Sequence, residues 1–310
     1  MGFLGIDTSN YTTSFAYYDG DKVTQVKKLL PVKEGEKGIR QSDAVFHHTK
    51  NYPELLEELI SKTGNNIDGV GVSVTPTTQD GSYMPCFLVG EGIATVVSQS
   101  LGVPLFRFSH QQGHIAAALY SAGKTSLVNE RFLAFHVSGG TTDLVLCEPD
   151  EKLIIKTTPF SSSSDLKAGQ AVDRIGVKMG LRFPAGAQLE ELAHKSERQF
   201  KNKIKLTDGK CSLSGVQNKC EKMISDGESN EDVARFLISY IADTVIAMTE
   251  YALDELGDIP VVYAGGVMSN KIIQSNISTR IKNSYFAESQ FSCDNGAGVA
   301  YLAYKSLSKR

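Results

Sequence analysis

The chain has 310 residues, 41% hydrophobic and 22% charged, which are the proportions of a globular protein and exclude a disordered one. A formal charge of −3 excludes an autonomous polyanion binder, so a nucleic-acid partner requires a local basic patch or another subunit. Five cysteines without a C-x-x-C pair argue against a disulfide framework, no apolar run approaches the length of a bilayer span, and residues 1–20 lack signal-peptide features; the expectation is a cytoplasmic chain with no membrane partner.

Residues 3–6 read as a short apolar strand, 7–12 as a polar turn, and 13–18 as the return strand, closed by Asp19-Gly20. An amphipathic helix is expected from about Pro53, with Leu55, Leu56, Leu59 and Ile60 on one side. Strand 69–74, helix 86–101 and strand 103–106 come next. The opening pattern then recurs: strand 132–137, turn Ser138-Gly139-Gly140-Thr141-Thr142, and return strand 143–147. The Ser161–Ser164 run with Asp165 has the composition of a mobile surface loop. Helices are expected over 169–180, 188–195 and 231–256, the last with Val233, Phe236, Leu237, Tyr240 and Ile241 on one stripe. Strand 260–264 runs into Gly265-Gly266, and 296–307 is a final helix. Alternating strands and helices give an α/β class. The repeated strand-turn-strand unit predicts a duplicated, two-lobed fold with a central ligand cleft. The expected lobes are residues 1–108, with helix 296–310 packing back on them, and residues 109–295.

Three glycine- or hydroxyl-rich segments could receive phosphate or nucleoside. Ser138-Gly139-Gly140-Thr141-Thr142 offers unshielded backbone N–H groups and hydroxyl donors, and Asp7-Thr8-Ser9-Asn10 is its counterpart in the first half. Either turn could equally be a structural hairpin. Gly265-Gly266 lies where ligands of open α/β sheets bind, beyond a strand's carboxyl end, with Asn270 in reach of a purine or ribose.

His110 and His114 are four residues apart, so on a helix they share one face and can reach one metal ion. The same spacing also describes two surface histidines. A third ligand must come from elsewhere, and Asp294 is a candidate at the start of the last helix, where it could equally be an N-cap. A His–His–carboxylate set suits Fe, Zn or Mn, and spacing does not choose among them.

Eight segments, in order, resemble the tRNA threonylcarbamoyladenosine synthase family, once described as glycoprotease-like. Leu4-Gly5-Ile6-Asp7-Thr8-Ser9 is similar to its opening strand, His110 to Ala117 to its H-x-x-x-H helix, and Val137-Ser138-Gly139-Gly140 to its V-S-G-G turn. Gly169-Gln170-Ala171-Val172-Asp173-Arg174 resembles G-E-A-F-D-K, and Gly180-Leu181-Arg182-Phe183-Pro184-Ala185-Gly186 resembles G-L-x-Y-P-G-G. Ser212-Leu213-Ser214-Gly215, Gly265-Gly266-Val267 with Asn270, and Asp294-Asn295-Gly296-Ala297 complete the set.

The resemblance implies an actin-like ATPase fold and metal-dependent transfer of a threonylcarbamoyl group. The donor would be threonylcarbamoyl-adenylate, and the acceptor the exocyclic amine of the adenosine next to the tRNA anticodon. It implies that His110, His114 and Asp294 hold one divalent ion (Fe, Zn or Mn). Val137, Ser138, Gly139, Gly140 and Thr141 would line the phosphate or acyl end of the adenylate or ATP-type nucleotide. Asp173, Gly186, Glu190 and Asn270 would hold ribose and adenine. It further implies that tRNA is reached with partner proteins, a smaller homologous subunit and an ATPase. Asn10, Tyr11 and Thr12 replace the family's C-D-E, Thr141 its usual His, and 75–85 is longer than its A-G-P-G-L loop. These departures leave open two alternatives: carbamoylation of another acceptor, or a nucleotide-binding or ATPase partner without transferase activity. A zinc-peptidase reading fails because Gln111, not Glu, comes after His110.

Overall fold

The computed structural model describes residues 1–9, 11–31, 39–292 and 296–309. Its contacts divide the chain into unit 1 (Met1–Val128, Pro149–Thr157, Cys293–Arg310) and unit 2 (Asn129–Glu148, Thr158–Ser292).

Unit 1 opens with β1 (Phe3–Asp7), β2 (Thr12–Tyr18) and β3 (Val23–Leu29), then α1 (Gln41–Thr63), β4 (Gly69–Thr75), α2 (Phe87–Leu101), β5 (Leu105–Ser109) and α3 (His110–Ser121). The sheet order is β3-β2-β1-β4-β5, antiparallel from β1 to β3 and parallel from β1 to β5. Every β1 residue is buried, as expected of a central strand with covered faces. Leu4, Ile6, Phe15, Val26, Leu55, Leu59, Val70, Val72 and Ala94 form the core under α1 and α2.

Helix α1 starts twelve residues before the expected Pro53, which lies inside it. Its buried stripe is Ala44, His48, Asn51, Leu55 and Leu59, so two of its inward positions are polar. Both bond to β2, where Thr13 Oγ1 lies 2.9 Å from His48 Nδ1 and accepts from Asn51 Nδ2.

Unit 2, apart from residues 149–157 of β7 and β8, contains β6 (Phe132–Val137), β7 (Thr142–Asp150), β8 (Ile154–Ser162), α4 (Ala168–Lys178), α5 (Gly186–Lys195), α6 (Ser214–Ser225), α7 (Asn230–Leu256), β9 (Val261–Ala264), α8 (Lys271–Arg280) and β10 (Ser284–Phe286). The sheet order β8-β7-β6-β9-β10 repeats that of the first sheet strand for strand, again with the first pair antiparallel and the next parallel. Helix α7 is long and apolar enough, with a mean hydropathy of 1.3 over 18 residues, to pass for a membrane span by composition. It is instead the core helix of unit 2, with 67% of that window buried and α5, α6 and α8 packed around it.

Helix α9 (Ala297–Ser308) belongs to unit 1 and packs on α3, β1 and β4. A Cβ on Gly298 would overlap the carbonyl of Gly113 in α3, so the two helices touch backbone to backbone. The boundary expected after residue 108 falls inside unit 1, where α3 packs against α9.

The serine run is not a mobile loop. Ser161 and Ser163 are buried, and Ser161 Oγ donates to Gly209 O, Ser163 Oγ to Leu166 O, and Ser164 Oγ to Cys211 O.

Candidate functional site

The predicted helix under the histidine pair is present and sharply started. Ser109 is its N-cap, in a capping box with Gln112, and Pro76 O accepts from Gln111 N–H. The loop 75–85 is thus tied to the first turn of α3. The rings of His110 and His114 stand 4.2 Å apart at 77°, on one face, with His114 only 4% exposed.

His110 Nδ1 lies 2.8 Å from Oδ2 of Asp7, the last residue of β1. Asp7 is 1% exposed and also accepts from Ser73 Oγ at 2.6 Å and from Ser9 N–H at 2.9 Å. Facing an ionised Asp7, which can only accept, a neutral His110 ring carries its proton on Nδ1 and its lone pair on Nε2. A metal-binding histidine has this arrangement, with a carboxylate orienting the ring from behind. Two adjacent imidazoles, edge to face, with one tautomer set in this way are donors suited to Fe, Zn or Mn. Asp294 lies outside the described residues, and among the described residues no group of three His, Cys, Asp or Glu forms a metal site. Gly296, two residues further on, is seated against Gly5 of β1, and its N–H donates to Ser14 Oγ.

In the 7–9 turn, two of the groups expected to face phosphate have partners within the fold. Asp7 is engaged as above, and Thr8 Oγ1 donates to Cys86 O and accepts from Gly90 N–H. Tyr11 is exposed and Thr12 buried, so this turn presents no carboxylate at either position; Asn10 lies outside the described residues.

In unit 2 the nine residues expected to bind nucleotide lie on one closed circuit of contacts. Val137 ends β6, and Ser138 to Thr141 form the turn into β7. Gly169 in the first turn of α4 approaches so closely that a Cβ there would lie 2.6 Å from Ser138 O and Gly139 N. One helical turn on, Asp173 Oδ1 accepts from Ala185 N–H at 2.8 Å, beside Gly186 at the start of α5. One further turn along α5, Glu190 Oε1 accepts from Lys271 N–H at 2.6 Å. Asn270 Oδ1 accepts from Ile272 and Ile273 N–H, so Glu190 and Asn270 together cap α8. The circuit returns through residues 266–269 to Gly265, whose φ of +100° lets the chain pass directly over the Val137 backbone.

Several groups in this circuit have structural duties that their sequence context does not reveal. Ser138 Oγ and Thr141 Oγ1 bond each other at 2.8 Å, and Thr142 Oγ1 accepts from Ala168 N–H at the start of α4. The amides of Gly140 and Thr141 reach Ser138 Oγ only at 3.3 Å. Bonds that long are weak, and a charged phosphate oxygen competes well for those donors. Gly139 and Gly140 are exposed, with open space where a Cβ would stand, and Gly186 has nothing nearer to such a Cβ than Val172 Cγ1 at 3.9 Å. Burial raises the Asp173 carboxyl above its ordinary 3.8, partly offset by the Ala185 N–H.

Asp165 was not among the expected site residues. It receives Ser212 Oγ, Leu213 N–H, Ser214 N–H, Ser214 Oγ and Leu166 N–H, and so holds the Ser212-Leu213-Ser214 turn beside the start of α4. Burial works against its charge, but these donors outweigh it and hold the carboxyl well below its usual range. Its signal in the sequence was a carboxylate closing a serine run just ahead of a helix.

The family model described as TsaD, tRNA N6-adenosine threonylcarbamoyltransferase, matches residues 23–301. Two relatives carry the name tRNA N6-adenosine threonylcarbamoyltransferase. The one from Sulfurihydrogenibium sp. (strain YO3AOP1) is 28% identical over 324 residues, covering 100% of this chain and 92% of the relative. The one from Persephonella marina (strain DSM 14350 / EX-H1) is 28% identical over 322 residues, covering 98% and 90%. Among solved structures, full-length HypF in its phosphate- and nucleotide-bound form superposes with a TM-score of 0.62 at 12% identity. That match takes in 99% of this chain and 46% of HypF, less than half of the larger protein, and shows the actin-like ATPase fold alone.

Proposed function

The chain belongs to the tRNA N6-adenosine threonylcarbamoyltransferase family, and on that premise we propose that it moves a threonylcarbamoyl group from threonylcarbamoyl-adenylate to N6 of the adenosine beside a tRNA anticodon. The adenosine amine attacks the carbamoyl carbonyl carbon. A C–N bond forms, the C–O bond to phosphate breaks, adenylate leaves with the electron pair, and the amine proton is released. The contact circuit in unit 2 supports this reading most, since all nine expected binding residues lie along it. In this proposal the 138–141 turn receives phosphate oxygens through the Gly140 and Thr141 amides. Asp173 accepts from the ribose hydroxyls, and the uncovered Gly186 leaves room for the flat base.

His110 and His114 would hold the divalent ion, with Asp294 as the third ligand and Asp7 orienting His110. A bound cation there would supply a Lewis acid for phosphate oxygens. Delivery of tRNA would involve protein partners, and the cytoplasm is the proposed location.

The Tyr11 and Thr12 positions favour a second reading, transfer to a different acceptor, because neither position carries a carboxylate to assist an RNA amine. Purified chain with adenylate labelled in its threonylcarbamoyl group, with and without tRNA, separates the readings. Label in tRNA supports the first. Adenylate consumed without labelled tRNA supports the second, and binding without consumption overturns both in favour of a nucleotide-binding partner.

A further inference from the structure

Between α5 and α6 the chain crosses unit 2 as an extended strap. Residues 197–206 have no regular secondary structure, yet from 200 to 206 their exposure alternates strictly. Phe200, Asn202, Ile204 and Leu206 turn inward, while Lys201, Lys203 and Lys205 are exposed. The inward residues track α7. Phe200 packs on Phe236 with ring centroids 5.2 Å apart, Asn202 Nδ2 donates to Asp243 Oδ2 at 3.0 Å, and Gly209 lies against the ring of Tyr251. From 236 to 251 the helix rises about 22 Å, and residues 200–206, six extended steps of about 3.3 Å each, run about 20 Å beside it before the turn at 207–210. The alternate lysines therefore stand in a row about 7 Å apart.

The row is concentrated charge in a weakly acidic chain. Residues 195–210 hold six basic and two acidic side chains, a net of +4 in a chain whose total is −3. Arg198 is engaged by Glu228 and Asp232. Among the described residues, Lys201, Lys203 and Lys205 make no hydrogen bond or ion pair. Both ends of the strap join the candidate site. It leaves α5, which carries Gly186 and Glu190, and enters the 212–214 turn held by Asp165.

We propose that Lys201, Lys203 and Lys205 contact the phosphate backbone of the tRNA acceptor, and this rests on the tRNA reading above. A linear row of unpaired cations on a fixed extended segment complements a chain of phosphates, where a single small anion would need one convergent pocket. A membrane surface fits less well, because the apolar side chains of the strap face α7 and leave no apolar face beside the lysines to enter a bilayer.

The test is equilibrium binding of intact tRNA to the full chain over about 50 to 200 mM salt. The variants are K201Q/K203Q/K205Q and a control, K22Q/K50Q/K62Q in unit 1, each checked for unchanged thermal unfolding. The proposal expects the strap variant to lose about two to three units from the slope of log affinity against log salt, with affinity at the low-salt end falling about tenfold or more. The control should keep the wild-type slope. Equal slopes for strap variant and wild type overturn the proposal, as does wild-type chain that binds no RNA. A strap-dependent affinity for anionic phospholipid vesicles that exceeds the one for tRNA also overturns it. Lysine-dependent tRNA binding by a chain that transfers no threonylcarbamoyl group leaves the row standing and removes the transfer reading. Transfer that survives the triple substitution with unchanged binding does the reverse.

Discussion

Asp7 Oδ2 lies 2.8 Å from His110 Nδ1, joining the end of β1 to the start of α3 across 103 residues of sequence. The contact sets the tautomer of His110, and Ser73 and the Ser9 amide fix the carboxylate in turn. Removing one orienting carboxylate behind a metal-binding histidine weakens the metal about 10- to 100-fold. Asp7→Asn should therefore bind Zn or Mn more weakly by that factor in a direct metal titration, while His114→Ala abolishes binding. Equal affinity in wild type and Asp7→Asn would mean that the pair is structural only.

Gly169→Ala should harm the phosphate turn more than the fold as a whole. The added methyl meets Ser138 O and Gly139 N at 2.6 Å, and both are backbone atoms that cannot swing aside. Overpacking of this kind costs about 1–3 kcal/mol, measurable by denaturant unfolding. Adenylate affinity should fall with it, because the turn must shift to make room.

Asp173→Asn separates ligand binding from stability. Burial raises the Asp173 carboxyl, so its ionisation destabilises the folded chain as pH rises through the ordinary value of 3.8 and above. The neutral amide removes that cost and can still accept from Ala185 N–H. Thermal stability at neutral pH should stay equal or rise. Adenylate affinity should drop about tenfold, the size of one lost charge-assisted hydrogen bond. A drop in both would assign Asp173 to the fold.

Asp165→Asn should show in acid. Its donors hold the carboxyl below 3.8, so the stability it contributes is present above that value and is lost as pH falls below it. The variant should be less stable than wild type at neutral pH by about 1–2 kcal/mol, with the gap closing below about pH 4. Unfolding curves at a series of pH values measure this, and a gap that persists in acid would contradict it.

Much of this was legible from local signals. The paired openings at 3–18 and 132–147 carried strand period and turn residues together, and they became β1-β2 and β6-β7. Ser109 and Gln112 mark the start of α3 by capping chemistry that needs only four residues. The first half of α1 was hidden because its inward face uses His48 and Asn51, which pair with Thr13 rather than with apolar neighbours. Strand β3, with half-exposed Val23 and exposed Lys27 and Lys28, and the strap lysines lacked a core to register against in sequence. The circuit through Gly169 and Gly265 was beyond reach, because each glycine is required by a neighbour distant in sequence.

The most direct measurement is the mass of the adenosine beside the anticodon, taken from tRNA digested to nucleosides after incubation with this chain, metal and threonylcarbamoyl-adenylate. This adenosine should gain one threonylcarbamoyl group on N6, and the gain should be lost with Asp173→Asn at limiting adenylate. An unmodified adenosine alongside consumed adenylate would contradict it.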